Sequence, residues 1–182
     1  MKKTLLFFWE ITKIVLIASA IVVPIRYFLF QPFFVKGQSM EPNYETGDYL
    51  IIDELSYRLR NPERGEVIVL KYPNDPAQRY IKRLIGLPGE TVQINNGQVT
   101  IYKVDSTIEI LDESEYLASN VQTIGNKNVT LGEDEYFVLG DNRLVSSDSR
   151  VWGIVPEKYI IGKVFLRAWP LDSAEKITSP IY

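Results

Sequence analysis

The apolar segment from Thr4 to Phe30 constrains the fold more than any other part of this chain. It consists mostly of Leu, Ile, Val, Phe and Ala, and a helix needs roughly 20 such residues to cross a bilayer. Lys2 and Lys3 precede it, and basic residues flanking a membrane helix favour the cytoplasmic side. The sequence therefore predicts a single transmembrane helix, with its N-terminus in the cytoplasm and the rest of the chain on the extracytoplasmic face.

A cleaved secretory signal is the alternative for this segment, because Ala18-Ser19-Ala20 has the small-x-small form of a cleavage site. Two features argue against cleavage. The apolar run continues from Ile21 to Phe30 beyond that site, and Glu10 and Lys13 interrupt the apolar core that a signal would need. A retained anchor explains both features, since Glu10 and Lys13 lie one helical turn apart and can pair.

The distribution of charge separates the two ends of the chain. Residues 1–36 carry five basic residues against one acid, so the total of −3 leaves −7 for the remainder. An acidic body disfavours nucleic acid as a partner, whereas the basic end suits a lipid bilayer. The 182 residues suffice for one compact domain and an anchor. We expect residues 1–30 to form the cytoplasmic N-terminus and anchor, and residues 31–182 to form the domain.

The chain contains no Cys and no His. Their absence excludes a disulfide framework, a thiolate nucleophile and Cys-rich zinc sites, and it removes the commonest transition-metal ligand. We therefore expect neither a metal nor a cofactor. A serine nucleophile in this chain has to be activated without imidazole.

Beyond residue 35, short segments rich in Val, Ile and Tyr are bounded by Gly, Pro, Asn or Asp, which is typical of an all-β domain. The predicted strands are Tyr49–Asp53, Glu66–Tyr72, Tyr80–Ile85, Thr91–Ile94, Gln98–Tyr102, Tyr136–Leu139 and Ile160–Trp169. Asn95-Asn96-Gly97 predicts a tight hairpin. Residues 103–134 are more polar, and with that hairpin they predict a small inserted β lobe at about 92–134. The predicted fold class is mainly β.

Ser39 is the candidate nucleophile, because it lies between glycine and proline turn signals shortly after the anchor. If the chain leaves the anchor extended, Phe33, Val35, Gly37 and Ser39 point to one face, and apolar side chains flank the serine. Taken alone, this serine equally fits a turn residue that caps its own backbone.

Lys82 is the candidate base. Alternation along Arg79–Ile85 places it on the same face as Tyr80 and Leu84, with Arg83 on the opposite face. A guanidinium cannot act as a base, whereas a lysine held against apolar neighbours loses solvation and its pKa falls toward neutrality. Taken alone, the segment also fits an exposed strand lysine paired with an acid.

A polar segment at residues 140–153 follows the predicted strand Tyr136–Leu139. Asx turns, an Asp148–Arg150 ion pair and solvent would satisfy its polar groups. Alternatively, a hydroxyl in this segment orients the lysine amine, since a neutral base works only when its lone pair faces the nucleophile.

Taken together and in this order, the three segments resemble the bacterial type I signal peptidase family, the membrane-bound Ser/Lys leader peptidases. The resemblance covers nearly the whole chain and rests on Gly37–Pro42, on Tyr80–Glu90 and on residues 140–153. It implies a signal-peptidase-like catalytic domain at the bacterial cytoplasmic membrane. It also implies an endopeptidase that removes leader peptides from exported precursor proteins after small-x-small sequences.

The same resemblance implies roles for individual residues. Ser39 corresponds to the nucleophile, Lys82 to the general base and Ser146 to a hydroxyl that is hydrogen-bonded to the lysine. The residues expected to brace the site are Asp141, Asp148 and Arg150, and those expected to shape the substrate pockets are Phe33, Val35, Met40, Tyr80 and Ile81.

Two positions depart from patterns common in that family. Some members carry a serine at the position of Gly37, where its hydroxyl helps to hold the oxyanion, whereas others have glycine as here. The Ser39 N–H is then the one oxyanion donor that the sequence identifies. Asn43 occupies a position where threonine is frequent.

Two other functions fit parts of the pattern. A membrane-anchored β module that binds extracytoplasmic partners would use Ser39 and Lys82 only structurally, but it gives no reason for both to occur with the 140–153 segment. A Ser/Lys protease that cleaves itself or one dedicated partner is the second alternative, with Ala18-Ser19-Ala20 as a possible site of self-cleavage.

Overall fold

The computed structural model describes residues 2–28, 30–180 and 182, with side chains described at 7–20, 31–180 and 182. The apolar N-terminal segment forms helix α1, Lys2–Phe28. Within it, Lys13 Nζ lies 2.8 Å from Glu10 Oε1, which confirms the predicted pair. Across these described stretches, however, none of the helices combines the length and the apolar character that crossing a membrane requires.

The rest of the chain is mainly β, as predicted, and its strands form two sheets. The larger sheet has the strand order β1-β2-β11-β3-β4-β9-β10, and a further strand, β12, pairs with β11. Its strands are β1 Phe30–Phe34, β2 Tyr49–Asp53, β3 Val67–Tyr72, β4 Asp75–Gly86, β9 Glu135–Leu139, β10 Val155–Pro156, β11 Ile160–Trp169 and β12 Glu175–Lys176.

The smaller sheet has four strands in the order β7-β6-β5-β8. These are β5 Thr91–Asn95, β6 Gln98–Tyr102, β7 Ile108–Ile110 and β8 Lys127–Thr130. The predicted hairpin joins β5 to β6, and Asn96 and Gly97 both have positive φ, at 50° and 81°. This left-handed backbone explains the asparagine and glycine there, because other residues adopt it only at a cost.

Two short α-helices complete the fold: α2, Ser56–Leu59, and α3, Ser149–Trp152. α3 begins at the N-cap Asp148, whose side chain accepts a hydrogen bond from the Arg150 N–H. Capping satisfies an otherwise unpaired helix N–H. It also fixes the direction of the Asp148 carboxylate, which lies close to the candidate site.

All seven predicted strands are present, and the sequence did not predict β1, β7, β8, β10 and β12. Four of these span only two to four residues, too few to show an alternating pattern. β1 contains Pro32, which cannot donate a ladder hydrogen bond and fits an edge strand. Its edge position leaves β1 free on one side, next to the candidate site.

Candidate active site

Ser39 lies in a turn and not on a strand. Alternation holds from Phe33 to Val35, since both pack on the same core cluster. It ends at Gly37, whose φ of 94° takes the backbone out of the extended conformation. The predicted common face for Phe33, Val35, Gly37 and Ser39 is therefore wrong beyond Val35. The buried Met40 anchors the turn instead, and it packs in that cluster.

Lys82 meets this turn from β4. Its Nζ lies 2.7 Å from Ser39 Oγ, although the two residues are 43 positions apart in the chain. Nζ also donates a hydrogen bond to the Ile81 carbonyl oxygen at 2.8 Å and lies 5.4 Å from the centre of the Tyr80 ring. These contacts leave Lys82 only 3% exposed. The structure thus brings the candidate nucleophile and the candidate base into direct contact.

Burial lowers the pKa of Lys82 from 10.5 to about 8, although the negative charges of Asp148 and Asp141 oppose the shift. With that pKa, about a tenth of the molecules carry a neutral amine at pH 7. In the ammonium form Nζ donates to Ser39 Oγ, whereas in the neutral form it can accept the hydroxyl proton across the same contact. The same contact therefore allows Lys82 to accept the Ser39 proton and, as an ammonium, to donate a proton back.

Besides the Arg150 N–H that caps α3, two further groups hold the Asp148 carboxylate. The Arg150 guanidinium binds both of its oxygens at 2.8 Å, which confirms the predicted ion pair. The Gly140 N–H donates to Asp148 Oδ2 at 3.0 Å. Burial raises the pKa of Asp148, but these hydrogen bonds outweigh burial, and the net shift is downward. A fully buried carboxylate thus stays ionised close to Lys82.

The Asp141 carboxylate is bound by Arg83, which points to the opposite face of β4 from Lys82. Arg83 Nε and Nη2 bind the two carboxylate oxygens at 2.8 and 2.6 Å, and both partners are buried. Asn43 Nδ2 donates to Asp141 Oδ2 at 2.8 Å and also to the Tyr116 carbonyl oxygen. Neighbouring residues of one strand, Lys82 and Arg83, therefore reach Ser39 and Asp141 respectively. Sequence analysis assigned neither Arg83 nor Asn43 to the site.

Ser146 does not make the hydrogen bond that was expected of it. Its buried Oγ has no hydrogen-bond partner of normal geometry among the described residues, so none joins it to Lys82. The hydroxyl lies close enough to Asp148 to contribute to the lowered pKa of that carboxyl. It also lies against Gly140, where an added Cβ would overlap both Ser146 Oγ and the Ser39 carbonyl oxygen. Glycine at position 140 therefore permits the close approach of loop and turn.

Asn142 fastens the Ser39 turn to the 140–150 loop, a role that the sequence did not reveal. Its backbone N–H donates to the Ser39 carbonyl oxygen at 3.0 Å. Its side-chain amide donates to the Gln38 carbonyl oxygen, also at 3.0 Å. The one available signal was an asparagine between two charged residues in a polar loop, which indicates local hydrogen bonding but no particular partner.

The Ser39 N–H is a candidate oxyanion donor in this structure. None of the backbone hydrogen bonds within the described turns and loops has the Ser39 N–H as donor. The Gly37 N–H donates instead to Thr46 Oγ1 at 3.1 Å. Since Gly37 has no side chain, it offers no hydroxyl, and the Ser39 N–H is the backbone donor on the same residue as the attacking oxygen.

A cleft of about 420 Å³ opens beside Ser39 and Lys82, between β1 and the first half of β4. Its lining consists of Phe33, Phe34, Lys36, Ser39, Ala77, Arg79, Tyr80, Ile81 and Lys82. Three predicted pocket residues, Phe33, Tyr80 and Ile81, are among them. Val35 and Met40 are buried in the core cluster and are not among the residues that line this cleft, so a pocket role for these two stays a prediction.

Comparison with known proteins identifies the family. A sequence profile described as signal peptidase, peptidase S26, matches residues 8–169. A probable signal peptidase I-2 of Synechocystis sp. is 37% identical over 175 residues, covering 93% of this chain and 77% of that protein. A signal peptidase IB of Staphylococcus aureus is 30% identical over 191 residues, covering 99% and 97% of the two chains.

A crystal structure of a signal peptidase I from Enterococcus faecalis V583 also matches, with a TM-score of 0.47 and 32% identity, over 58% of this chain and 97% of that one. The profile covers most of the chain, and the Synechocystis and Staphylococcus relatives extend the match over nearly all of it. The chain therefore belongs to the signal peptidase family, peptidase S26, and is a serine peptidase of the signal peptidase I type.

Proposed function

We propose that Ser39 is the nucleophile and Lys82 the general base of an endopeptidase that removes signal peptides from exported precursors. The observation that carries this assignment is the 2.7 Å contact between Lys82 Nζ and Ser39 Oγ, made by a lysine that is almost fully buried. Family membership supports cleavage of signal peptides by a serine peptidase. The roles of the two residues and the choice of cleavage site are the new part of the proposal.

The reaction proceeds in two stages. Neutral Lys82 accepts the Ser39 proton as Oγ attacks the scissile carbonyl, and the Ser39 N–H stabilises the oxyanion. The resulting ammonium protonates the leaving amine. Neutral Lys82 then takes a proton from water as the water oxygen attacks the acyl carbonyl, and the ammonium returns that proton to Ser39 Oγ as the ester bond breaks, which restores both groups. Asp148 and Asp141 limit how far the lysine pKa falls.

The cleft favours an extended substrate. β4 pairs with β9 only from Arg83 to Gly86, so the main chain of Tyr80 and Ile81 has no strand partner on that side. A peptide that adds as a strand there points alternate side chains into the cleft. Phe33, Tyr80 and Ile81 form aromatic and aliphatic walls of the cleft, which suit apolar side chains such as alanine. This arrangement supports cleavage after a small-x-small sequence.

Enlarging the residue before the scissile bond tests this specificity. If the enzyme cleaves after small-x-small sequences as proposed, changing alanine to tryptophan at that position of a precursor should lower kcat/KM by at least about 100-fold, because the large side chain would have to be placed directly beside Ser39 and Lys82. The matched control places tryptophan one residue earlier, where the side chain points away and little change is expected. Mass spectrometry of the products in detergent identifies the bond that is cut. Equal losses at both positions would refute the proposed binding mode.

We further propose that α1 holds the catalytic domain at the extracytoplasmic face of the bacterial cell membrane. Its support is the exposed apolar surface of the helix, which includes Phe7, Phe8, Trp9, Ile14 and Leu16. Confining enzyme and precursor to one surface raises their effective concentration. The self-cleavage alternative would require Ala18-Ser19-Ala20 to leave α1 and become extended. N-terminal sequencing of the purified protein distinguishes a retained helix from a cleaved one.

A further inference from the structure

A depression of about 390 Å³ lies at one end of the larger sheet, and four of its nine lining residues are basic. Its charged lining residues are Glu54, Arg58, Lys71, Arg79 and Lys158. Arg79 also lines the catalytic cleft, so the two depressions are neighbours. The proposed chemistry uses none of these five charges. The depression thus carries four basic groups against one acid, in a body whose overall charge is negative.

The topology places this basic depression where the chain emerges from α1. β1 begins at Phe30, just after α1 ends, and Gln31 lines the depression. Because these strands pair in antiparallel fashion, the last residues of β2 and β3 and the first residues of β4 and β11 lie together at one end of the sheet. The depression is therefore at the end of the domain that is attached to the apolar helix.

The positive charge of the depression is only partly balanced within the protein, since Glu54 interacts electrostatically with Arg58 and Arg79. Lys71 and Arg79 are directly paired across β3 and β4, and like charges opposite one another destabilise a sheet. In the described part of the chain, Lys71, Arg79 and Lys158 form no ion pair with a carboxylate. An anion bound among the three would remove this repulsion.

We propose that the basic depression binds the phosphate headgroup of an anionic lipid. Charge complementarity accounts for the anion. The attachment to α1 and the 80% exposure of Leu59, next to Arg58 in the chain, favour a lipid over free phosphate, because an exposed leucine suits a bilayer surface. The choice of lipid rests on the membrane location proposed for α1. Binding there would orient the neighbouring cleft relative to the bilayer.

Hydrogen exchange of the full-length protein in non-ionic detergent micelles tests this site. Adding phosphatidylglycerol should slow amide exchange at residues 70–80 and 157–161, whereas phosphatidylcholine should not. In the double variant Lys71→Gln/Lys158→Gln, half-maximal protection should need about thirtyfold more phosphatidylglycerol, because each basic group contributes to attraction at an anionic surface. The matched control Lys103→Gln/Lys127→Gln makes the same change in net charge on the smaller sheet and should leave the midpoint unchanged.

Three outcomes would overturn the assignment. They are equal protection by phosphatidylcholine, the same protection by inorganic phosphate or by an acidic precursor peptide, and an equal shift in the control variant. Cleavage of a precursor is measured on the same samples. A failure of catalysis would then count against Ser39 and Lys82, whereas a failure of lipid protection with cleavage intact would count against the basic depression alone.

Discussion

Replacing Ser39 by alanine, or Lys82 by methionine, is expected to lower kcat for precursor cleavage by at least about 10⁴-fold. The alanine variant lacks the attacking oxygen. The methionine variant keeps an unbranched side chain of similar size but cannot accept the hydroxyl proton, so Ser39 stays a weak nucleophile. Because the two groups act as one unit through their 2.7 Å contact, the double variant should be hardly less active than either single one.

Two control variants show whether such losses are specific. Ser147→Ala changes an exposed serine of the 140–150 loop, and Lys103→Met changes a partly exposed lysine far from the cleft in sequence. Both should keep activity within a few fold, and all variants should keep the circular dichroism spectrum of the wild type. Substantial cleavage by either Ser39→Ala or Lys82→Met would rule out the dyad.

Changing Asp141 to alanine is expected to lower the free energy of unfolding by about 3–5 kcal/mol. The substitution leaves the Arg83 guanidinium buried without its bidentate partner and removes an acceptor of Asn43. Burial lowers the pKa of Arg83, but Asp141 outweighs burial and raises it. A guanidinium is not deprotonated in proteins, so Arg83 stays charged in the variant, and that charge is then without its carboxylate partner. Urea unfolding of the full-length protein in detergent measures the effect.

The exposed pair between Arg60 and Glu63 provides a comparison for this effect. Its atoms lie 3.3 Å apart and Glu63 is exposed, so Glu63→Ala should change stability by less than about 1 kcal/mol. Adding Arg83→Met to Asp141→Ala should recover part of the loss, since it removes the unpaired charge. A loss as small for Asp141→Ala as for Glu63→Ala would show that the buried pair contributes little.

Sequence analysis succeeded where short-range periodicity determines the outcome. Alternation along β4 separated Lys82 from Arg83, and the structure sends them to Ser39 and to Asp141. It also placed Val35 beside Ser39 as a pocket residue, whereas the structure buries Val35 in the core, because alternation cannot distinguish a side that faces a core from one that lines a cleft. The order of the three segments along the chain likewise indicated that residues 140–153 belong to the site. That order alone does not identify hydrogen-bond partners.

The contacts that the sequence did not reveal depend on where two turns meet in space. Asn142 reaches Gln38 across 104 positions of the chain, and Asn43 reaches Asp141 across 98. Both contacts require the chain to turn after Gly37. The glycine accounts for the positive φ at that position, but it does not determine the direction of the turn. The division of the chain at residue 31 and the inserted lobe at about 92–134 stay predictions of domain organisation.

The ionisation of Lys82 tests the central claim most directly. Lysine labelled with ¹³C at Cε lets NMR follow the titration of this amine in the full-length protein, and Lys82→Met identifies its signal. The account predicts a pKa near 8, with kcat/KM for precursor cleavage rising through the same pH as the amine becomes neutral. A Lys82 titration near the ordinary value of 10.5, or a cleavage rate that does not follow it, would contradict the assignment of Lys82 as the base for Ser39.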